Sequence, residues 1–367
     1  LSYGVCNDMK NVLFVSMVIA LLSVSVAVAQ TPIAELEYDP TVCWDGNDKS
    51  DACYAMMQAF PKPDFENISP DSMTLDTYSF WQVGPDPVNL FDAPAGNVIG
   101  QIPAGYNFIN AIDLSVDGWI QRVGGEWVER SGARYAEASY YTGVLVSEDW
   151  QYPFVEILDR TGIYTSLNPG VEGSAESGYV TRRYDVFNIF AEATDSAGDL
   201  WYLIGPDRWI RQEFVSKFQP IEKPEDVIAD RWVAVDLFEQ TITAYEDEAP
   251  VFTTLISSGV AEWSTNEGTF DIWARLARDA MSGATGAPEA YALQDVPWTM
   301  YFDGGISLHG TYWHDDFGYR HSHGCVNLSI SDARWVFEWT DETEPDEDGN
   351  ILNQVYVFSS QEYEDET

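Results

Sequence analysis

Leu308-His309-Gly310-Thr311-Tyr312-Trp313-His314-Asp315-Asp316-Phe317-Gly318-Tyr319-Arg320-His321-Ser322-His323-Gly324-Cys325-Val326-Asn327-Leu328 holds all 4 histidines of the chain and one of its 4 cysteines. Chance would hardly gather them. A thiol beside imidazoles has the ingredients of a nucleophile, because an adjacent base or cation depresses a thiol pKa. In that reading Cys325 attacks a carbonyl, one His takes its proton, and backbone N–H groups at the Gly324-Cys325 turn stabilise the oxyanion. A second reading makes His321, His323 and Cys325 metal ligands, since residues at i, i+2 and i+4 share one face of a strand. In a third the histidines are structural and the cysteine is buried.

The other cysteines are read through the amino terminus. Lys10 precedes the apolar run Leu13 to Leu22, which closes on Ala27-Val28-Ala29. This is the pattern of a secretory leader over 1–29, with Met9 as the start, and an uncleaved anchor is the alternative. Cys6 then falls in the leader. In an oxidising compartment Cys43 and Cys53 are expected to close a small disulfide loop around Gly46 and Asn47 within a lead-in over 30–77. Cys325 is left as the odd thiol.

Around the histidine cluster the pattern is β. Trp232 to Leu237, Gln240 to Tyr245, Val251 to Ser257, Thr269 to Ile272, Trp298 to Phe302 and Val355 to Phe358 read as strands of a domain over 228–360. Ser329 and Asp332 have capping-box spacing, with Asp in the Glu/Gln role. Ala333, Val336, Phe337 and Thr340 then recur at helical spacing, which predicts one clear helix after Cys325. Acidic segments at Asp341 to Gly349 and in a tail over 361–367 are solvated.

Upstream there is an echo. Trp119-Ile120-Gln121-Arg122-Val123-Gly124 precedes Trp127, and Trp201-Tyr202-Leu203-Ile204-Gly205 precedes Trp209. Such self-similarity predicts two small β-domains, 78–147 and 152–217, followed by a Pro220/Pro224 linker. The Pro-Ala-Gly turn, the Gly-Trp strand and the second Trp strand resemble bacterial SH3-like domains. That likeness implies two small barrels that recognise cell-wall material, with the Trp pairs as core packing or as stacking surfaces.

Composition sets the class. Over 367 residues, 60 Asp+Glu against 18 Lys+Arg leave a net charge of −42, so a phosphate-neutralising, nucleic-acid-binding surface is excluded. With 14 Trp, 20 Tyr and 18 Phe the acid is a coat on folded domains, not a sign of disorder.

His309-Gly310-Thr311, a spacer, and Ser322-His323-Gly324-Cys325-Val326-Asn327 resemble the signature of the L,D-transpeptidase family of peptidoglycan cross-linking enzymes. Upstream, Val235-Asp236-Leu237 with Gln240, Ser257-Ser258-Gly259, and Thr265-Asn266-Glu267-Gly268-Thr269-Phe270 look like the family's first strands and its Thr-Pro-x-Gly-x-Phe segment, with Asn266 where Pro is usual. The resemblance implies a β-rich, sandwich-like catalytic domain with the cysteine beneath a loop lid. It implies Cys325 as nucleophile, His309 as general base, and Gly310 as the place that helps orient the base. Ser322, His323 and Gly324 would line the turn, with backbone N–H groups there and at Cys325 as oxyanion hole. Cys325 would attack the carbonyl at position three of a tetrapeptide stem and release D-alanine, and an amine of a neighbouring stem would resolve the acyl-enzyme without metal or organic cofactor. Asn327, Arg320, Tyr301 and Thr311 are the candidate substrate contacts, with Tyr312 and Trp313 near the cleft. Arg320 could instead pair with Asp315 or Asp316, and His314 and His321 match no fixed catalytic position. The expectation is an exported cell-envelope enzyme whose SH3-like modules hold it to the wall. A catalytically silent wall-binding protein and a thiol carboxypeptidase are the alternatives.

Overall fold

The computed structural model describes residues 37–362 apart from 45, 47, 176–178, 285, 288 and 344–350. The expected leader, Asn47, and most of both acidic segments lie outside the described residues. Among the described residues no helix is long and apolar enough to cross a membrane.

The histidine-bearing region forms two sheets with a helix between them. Strand Arg231–Asp236 is buried on both faces because its alternate side chains enter different cores. Val233 and Val235 join the large core, whereas Trp232 and Ala234 pack with Tyr245 in a smaller one. This strand lies inside a seven-stranded sheet, between Thr241–Glu246 and Asn353–Phe358. The second sheet carries the parallel pair Ile306–Thr311 and Val326–Ser329, with His309 opposite Asn327. Helix Ile330–Asp341 leaves the latter strand at Ser329, whose hydroxyl accepts from Asp332 N at 3.1 Å. Ala333, Val336 and Thr340 are buried by it. The capping box is half made. The Asp332 carboxylate accepts instead from Gly143 N (2.8 Å) and Thr254 Oγ1 (2.7 Å), in a site with no solvent exposure.

Neither echo unit is a closed barrel, and the two are built differently. In the first, strands Ser79–Val83 and Tyr106–Asp113 carry side chains into two cores at once. Trp81 and Ile109 pack with Leu90, Ile120 and Val128 of the unit itself, while their neighbours Phe80 and Phe108 enter the large core of the histidine-bearing region. Tyr106–Asp113 also pairs in parallel with Tyr291–Asp303, so the unit continues the second sheet into an eleven-stranded one. The expected boundary near 147 therefore does not separate a free-standing module. The second unit has two three-stranded sheets of its own and a core of Val155, Ile157, Phe187, Tyr202, Ile204, Ile210 and Val215. Its entry and exit strands are partners, Phe154 opposite Phe218.

Cys43 and Cys53 are bonded to each other, and the staple packs with Met56 and Met57 against Trp201 and Trp209 of the second unit. Lead-in helices Asp51–Ala59 and Ser72–Thr77 were not foreseen.

Candidate active site

Cys325 sits on the turn that feeds strand Val326–Ser329, one residue before the parallel pairing with the His309 strand begins. The turn is built from inside. Gly324 N donates to Ser322 Oγ at 3.1 Å, the Ser322 hydroxyl donates to the Cys325 carbonyl, and Thr265 Oγ1 donates to the Gly324 carbonyl at 2.8 Å. Gly324 has φ +110°, a conformation that strains any other residue. Gly259 pairs with Ser322, and a Cβ there would fall 2.0 Å from the Trp263 carbonyl. The likeness to a Thr-Pro-x-Gly-x-Phe segment thus acquires a physical role, because Thr265 holds the cysteine turn from below.

These bonds revise the oxyanion donors. Ser322 N is committed to the Ser258 carbonyl and Gly324 N to Ser322 Oγ. His323 N and Cys325 N are the donors of the turn without a hydrogen-bond partner among the described residues.

A cavity of 330 Å³ opens on the thiol, lined by His309, His321, Ser322, His323, Cys325 and Asn327, with Trp313, Met281, Glu289, Tyr291, Leu293 and Tyr106 completing its walls. His309 is buried, and its Nδ1 lies 3.3 Å from the Gly310 carbonyl. A carbonyl only accepts, so Nδ1 carries the proton and Nε2 keeps its lone pair for a base's work. Burial drives the His309 pKa down to about 4, which keeps the ring neutral. Gly310 also lets Ile330 and Pro297 close over the strand, each about 3 Å from where a Cβ would stand.

The thiol differs from expectation. Burial raises the Cys325 pKa, only partly offset by hydrogen bonds from the Ser307 backbone and hydroxyl. Its contacts are Ser307 Oγ at 3.7 Å and the Gly305 carbonyl at 3.8 Å, and no imidazole nitrogen is bonded to it among the described residues. The resting pair is a neutral thiol with a neutral imidazole, not a preformed thiolate. Ser307, fully buried, was missed because an isolated Ser in an apolar strand carries no pattern.

Asn327 lines the cavity with its amide 2.8 Å from His314 Nε2, while its Oδ1 has no partner. Asp316 N donates to His314 Nδ1 at 3.1 Å, so Nε2 bears the proton, and the amide satisfies both atoms with Oδ1 turned towards it. Three expected contacts fall elsewhere. Thr311 is buried in its strand, Tyr301 donates to Asp279 (2.8 Å) and stacks on Trp273, and Arg320 does not line the cavity. Tyr312 is core, fully buried and stacked on Phe80 at 3.7 Å. Asp315 and Asp316, the alternative partners of Arg320, are paired with Arg183 (2.8 Å) and Arg160 (2.5 Å) from the second echo unit.

The metal alternative of His321, His323 and Cys325 does not hold as a strand face, because the segment is a turn. Among the described residues, those that approach ligand spacing are His314, Asp316 and His321, with donor atoms within 4.8 Å of one another. Both His314 nitrogens are already engaged and Asp316 holds Arg160, which disfavours a resident ion.

This thiol, imidazole and turn are the elements of the signature quoted above, and they lie in a segment that resembles a known family. The family model of the YkuD L,D-transpeptidase catalytic domain matches residues 230–356. An L,D-transpeptidase from Stackebrandtia nassauensis is 26% identical over 38% of this chain and 60% of its own, with a TM-score of 0.29. One from Enterococcus faecium is 27% identical over 36% of this chain and 50% of its own, with a TM-score of 0.30. The match thus spans between half and three-fifths of those chains. No curated protein matches the chain. The matched segment contains Cys325 and His309 but not residues 37–229, and one of those residues, Tyr106, reaches the same cavity.

Proposed function

We propose that this chain is an exported L,D-transpeptidase that acts on peptidoglycan stem peptides through an acyl-enzyme on Cys325. The observation that supports it most is a half-buried thiol in an open cleft with a neutral, Nδ1-protonated imidazole on the adjoining strand. In the reaction Sγ turns from Ser307 and Gly305, and its proton passes to His309 Nε2 as the S–C bond forms at the donor carbonyl. His323 N and Cys325 N receive the oxyanion. The C–N bond to the terminal D-alanine breaks, and the proton on Nε2 goes to the leaving amine. An amine of a second stem then attacks the thioester and restores the thiol. Because thiol and imidazole are both neutral at rest, His309 acts as a base during attack and is not the partner of a standing thiolate.

The test is intact-protein mass spectrometry after incubation with a tetrapeptide stem ending in D-alanine, and in parallel with a carbapenem. Wild type is expected to gain one acyl group and Cys325→Ser none. An adduct that persists in Cys325→Ser would remove the thiol from the mechanism. An acyl-enzyme that decays at the same rate with and without added amine would favour the carboxypeptidase reading over transfer.

A further inference from the structure

We infer that Tyr106, supplied by the first echo unit outside the matched domain, is a substrate-contacting residue of the Cys325 cleft that packs on the apolar face of the donor peptide. The inference rests on the acyl-transfer reading of that cleft. Tyr106 lines the same cavity as Cys325 and His309. It is anchored at both ends: its N donates to the Ala290 carbonyl at 2.8 Å, and its hydroxyl donates to the Trp313 carbonyl at 3.2 Å. Preceding it, Gly105 has φ +152°, and a Cβ there would lie 2.4 Å from the Ala290 carbonyl. Only glycine permits that approach, so the corner that presents Tyr106 is specified by its sequence.

Between these anchors the residue stays 39% exposed, with the Phe108 ring edge-on to its own at 4.9 Å. An aromatic ring held rigid yet uncovered loses little entropy when a ligand covers it, which is the property of a binding surface. The neighbouring walls are Met281, Tyr291, Leu293 and Trp313, which suit an apolar peptide surface. The Trp313 ring also packs on His309 at 5.5 Å, so a purely indirect role through Trp313 is the competing account.

Single-turnover acylation of the full chain by the tetrapeptide, followed over a range of concentrations, separates the two. Tyr106→Ala is expected to raise the half-saturating concentration about tenfold and to leave the limiting rate within about threefold, the size of effect that one covered aromatic face gives. Tyr106→Phe keeps the ring and loses the bond to Trp313, and is expected to stay within about threefold of wild type in both. Alkylation of Cys325 by iodoacetamide and the melting temperature check the fold of each variant, with Tyr106→Leu in reserve if Tyr106→Ala melts early. Unchanged half-saturation in the Ala or Leu variant overturns the inference. So does a lower limiting rate at unchanged half-saturation, or equal losses in Phe and Ala, either of which assigns Tyr106 to positioning. If wild type alkylates but never acylates, the acyl-transfer reading falls and takes this inference with it. If wild type acylates and the variants match it, this inference falls alone.

Discussion

The two echo units share a Trp pair at the same spacing, yet one is fused into the catalytic fold and the other is inserted beside it. Phe80 and Phe108 of the first unit belong to the catalytic core, its strand Tyr106–Asp113 extends the catalytic sheet, and Tyr106 reaches the cysteine cavity. The second unit keeps its own core and enters and leaves through paired strands. It meets the catalytic region where Phe154, Leu158 and Phe218 pack on Leu255 and Phe317, and where Arg160 and Arg183 grip Asp315 and Asp316. Similar sequence punctuation therefore describes a turn-and-strand pattern and not an independent module. What decides independence is which core the alternate side chains enter.

Excision tests the contrast most severely. Removing 79–135 takes two large aromatics out of the catalytic core, each worth about 3–5 kcal/mol, against a total stability of roughly 5–15 kcal/mol. That variant is expected to lose cooperative unfolding by calorimetry. Replacing 159–214 by a short linker keeps the paired strands Phe154–Ile157 and Val215–Phe218 and their packing on Leu255 and Phe317, and is expected to leave a cooperatively melting domain. Equal outcomes for the two deletions would erase the distinction.

A smaller effect probes the grip on the active-site loop. Arg183 is largely buried, bonds both the side chain and carbonyl of Asp315, and lies 4.4 Å over Tyr184. Arg183→Ala is predicted to slow acylation about tenfold by loosening the loop that carries His314, a loss of the size expected for a charge-assisted hydrogen bond. Arg130→Ala in the first unit, over Trp81 at 4.9 Å, is predicted to leave acylation unchanged. Acylation rates of the two variants side by side settle it.

The mildest effect is a pH dependence. Glu156 of the second unit accepts from Tyr141 at 2.9 Å, and burial pushes its pKa up to about 8; that of Asp332 rises to about 7 for the same reason. Both are raised above their unfolded values. The stability they contribute is therefore fully present below about pH 4 and is lost as pH rises through 7 to 8. His309 runs the other way. Its lowered pKa contributes stability that is present above about 6.5 and lost as pH falls through 4. The junction with the second unit is predicted to loosen between about pH 6 and 9, read by hydrogen exchange of strand Phe154–Ile157, while the first unit holds. Glu156→Gln should flatten that slope, and an unchanged slope would place the titration elsewhere.

The catalytic region was legible because its signals are local. Period-two alternation marked its strands, Ser329 marked the helix start, and four histidines around one cysteine marked the site. The rest was not, for reasons that are themselves physical. The long hairpin Ala274–Gly283 with Tyr291–Asp303 alternates poorly because one of its strands is mostly solvated. The thiol's pKa is raised by burial and partly brought back by Ser307, and neither influence has a motif. Thr311 and Tyr301 are not contacts because Thr311 is fully buried in its strand and Tyr301 is held by Asp279 and Trp273, partners that no local pattern announces. Tyr106 is 219 residues from Cys325, and only the parallel pairing of their regions through Tyr291 brings it to the cavity.

The short segment Val144–Leu145, near the end of the first echo unit, lies along strand Ala249–Leu255 and is itself covered by Glu66–Asn67. Without it the seven-stranded sheet would end in an exposed row of unpaired amides and carbonyls, next to the fully buried Phe252 and Leu255. Such an edge is a template for another chain. Those few residues act as a guard against self-association, and a fragment cut to begin at the matched domain would be prone to aggregate through that edge even if its active site were intact.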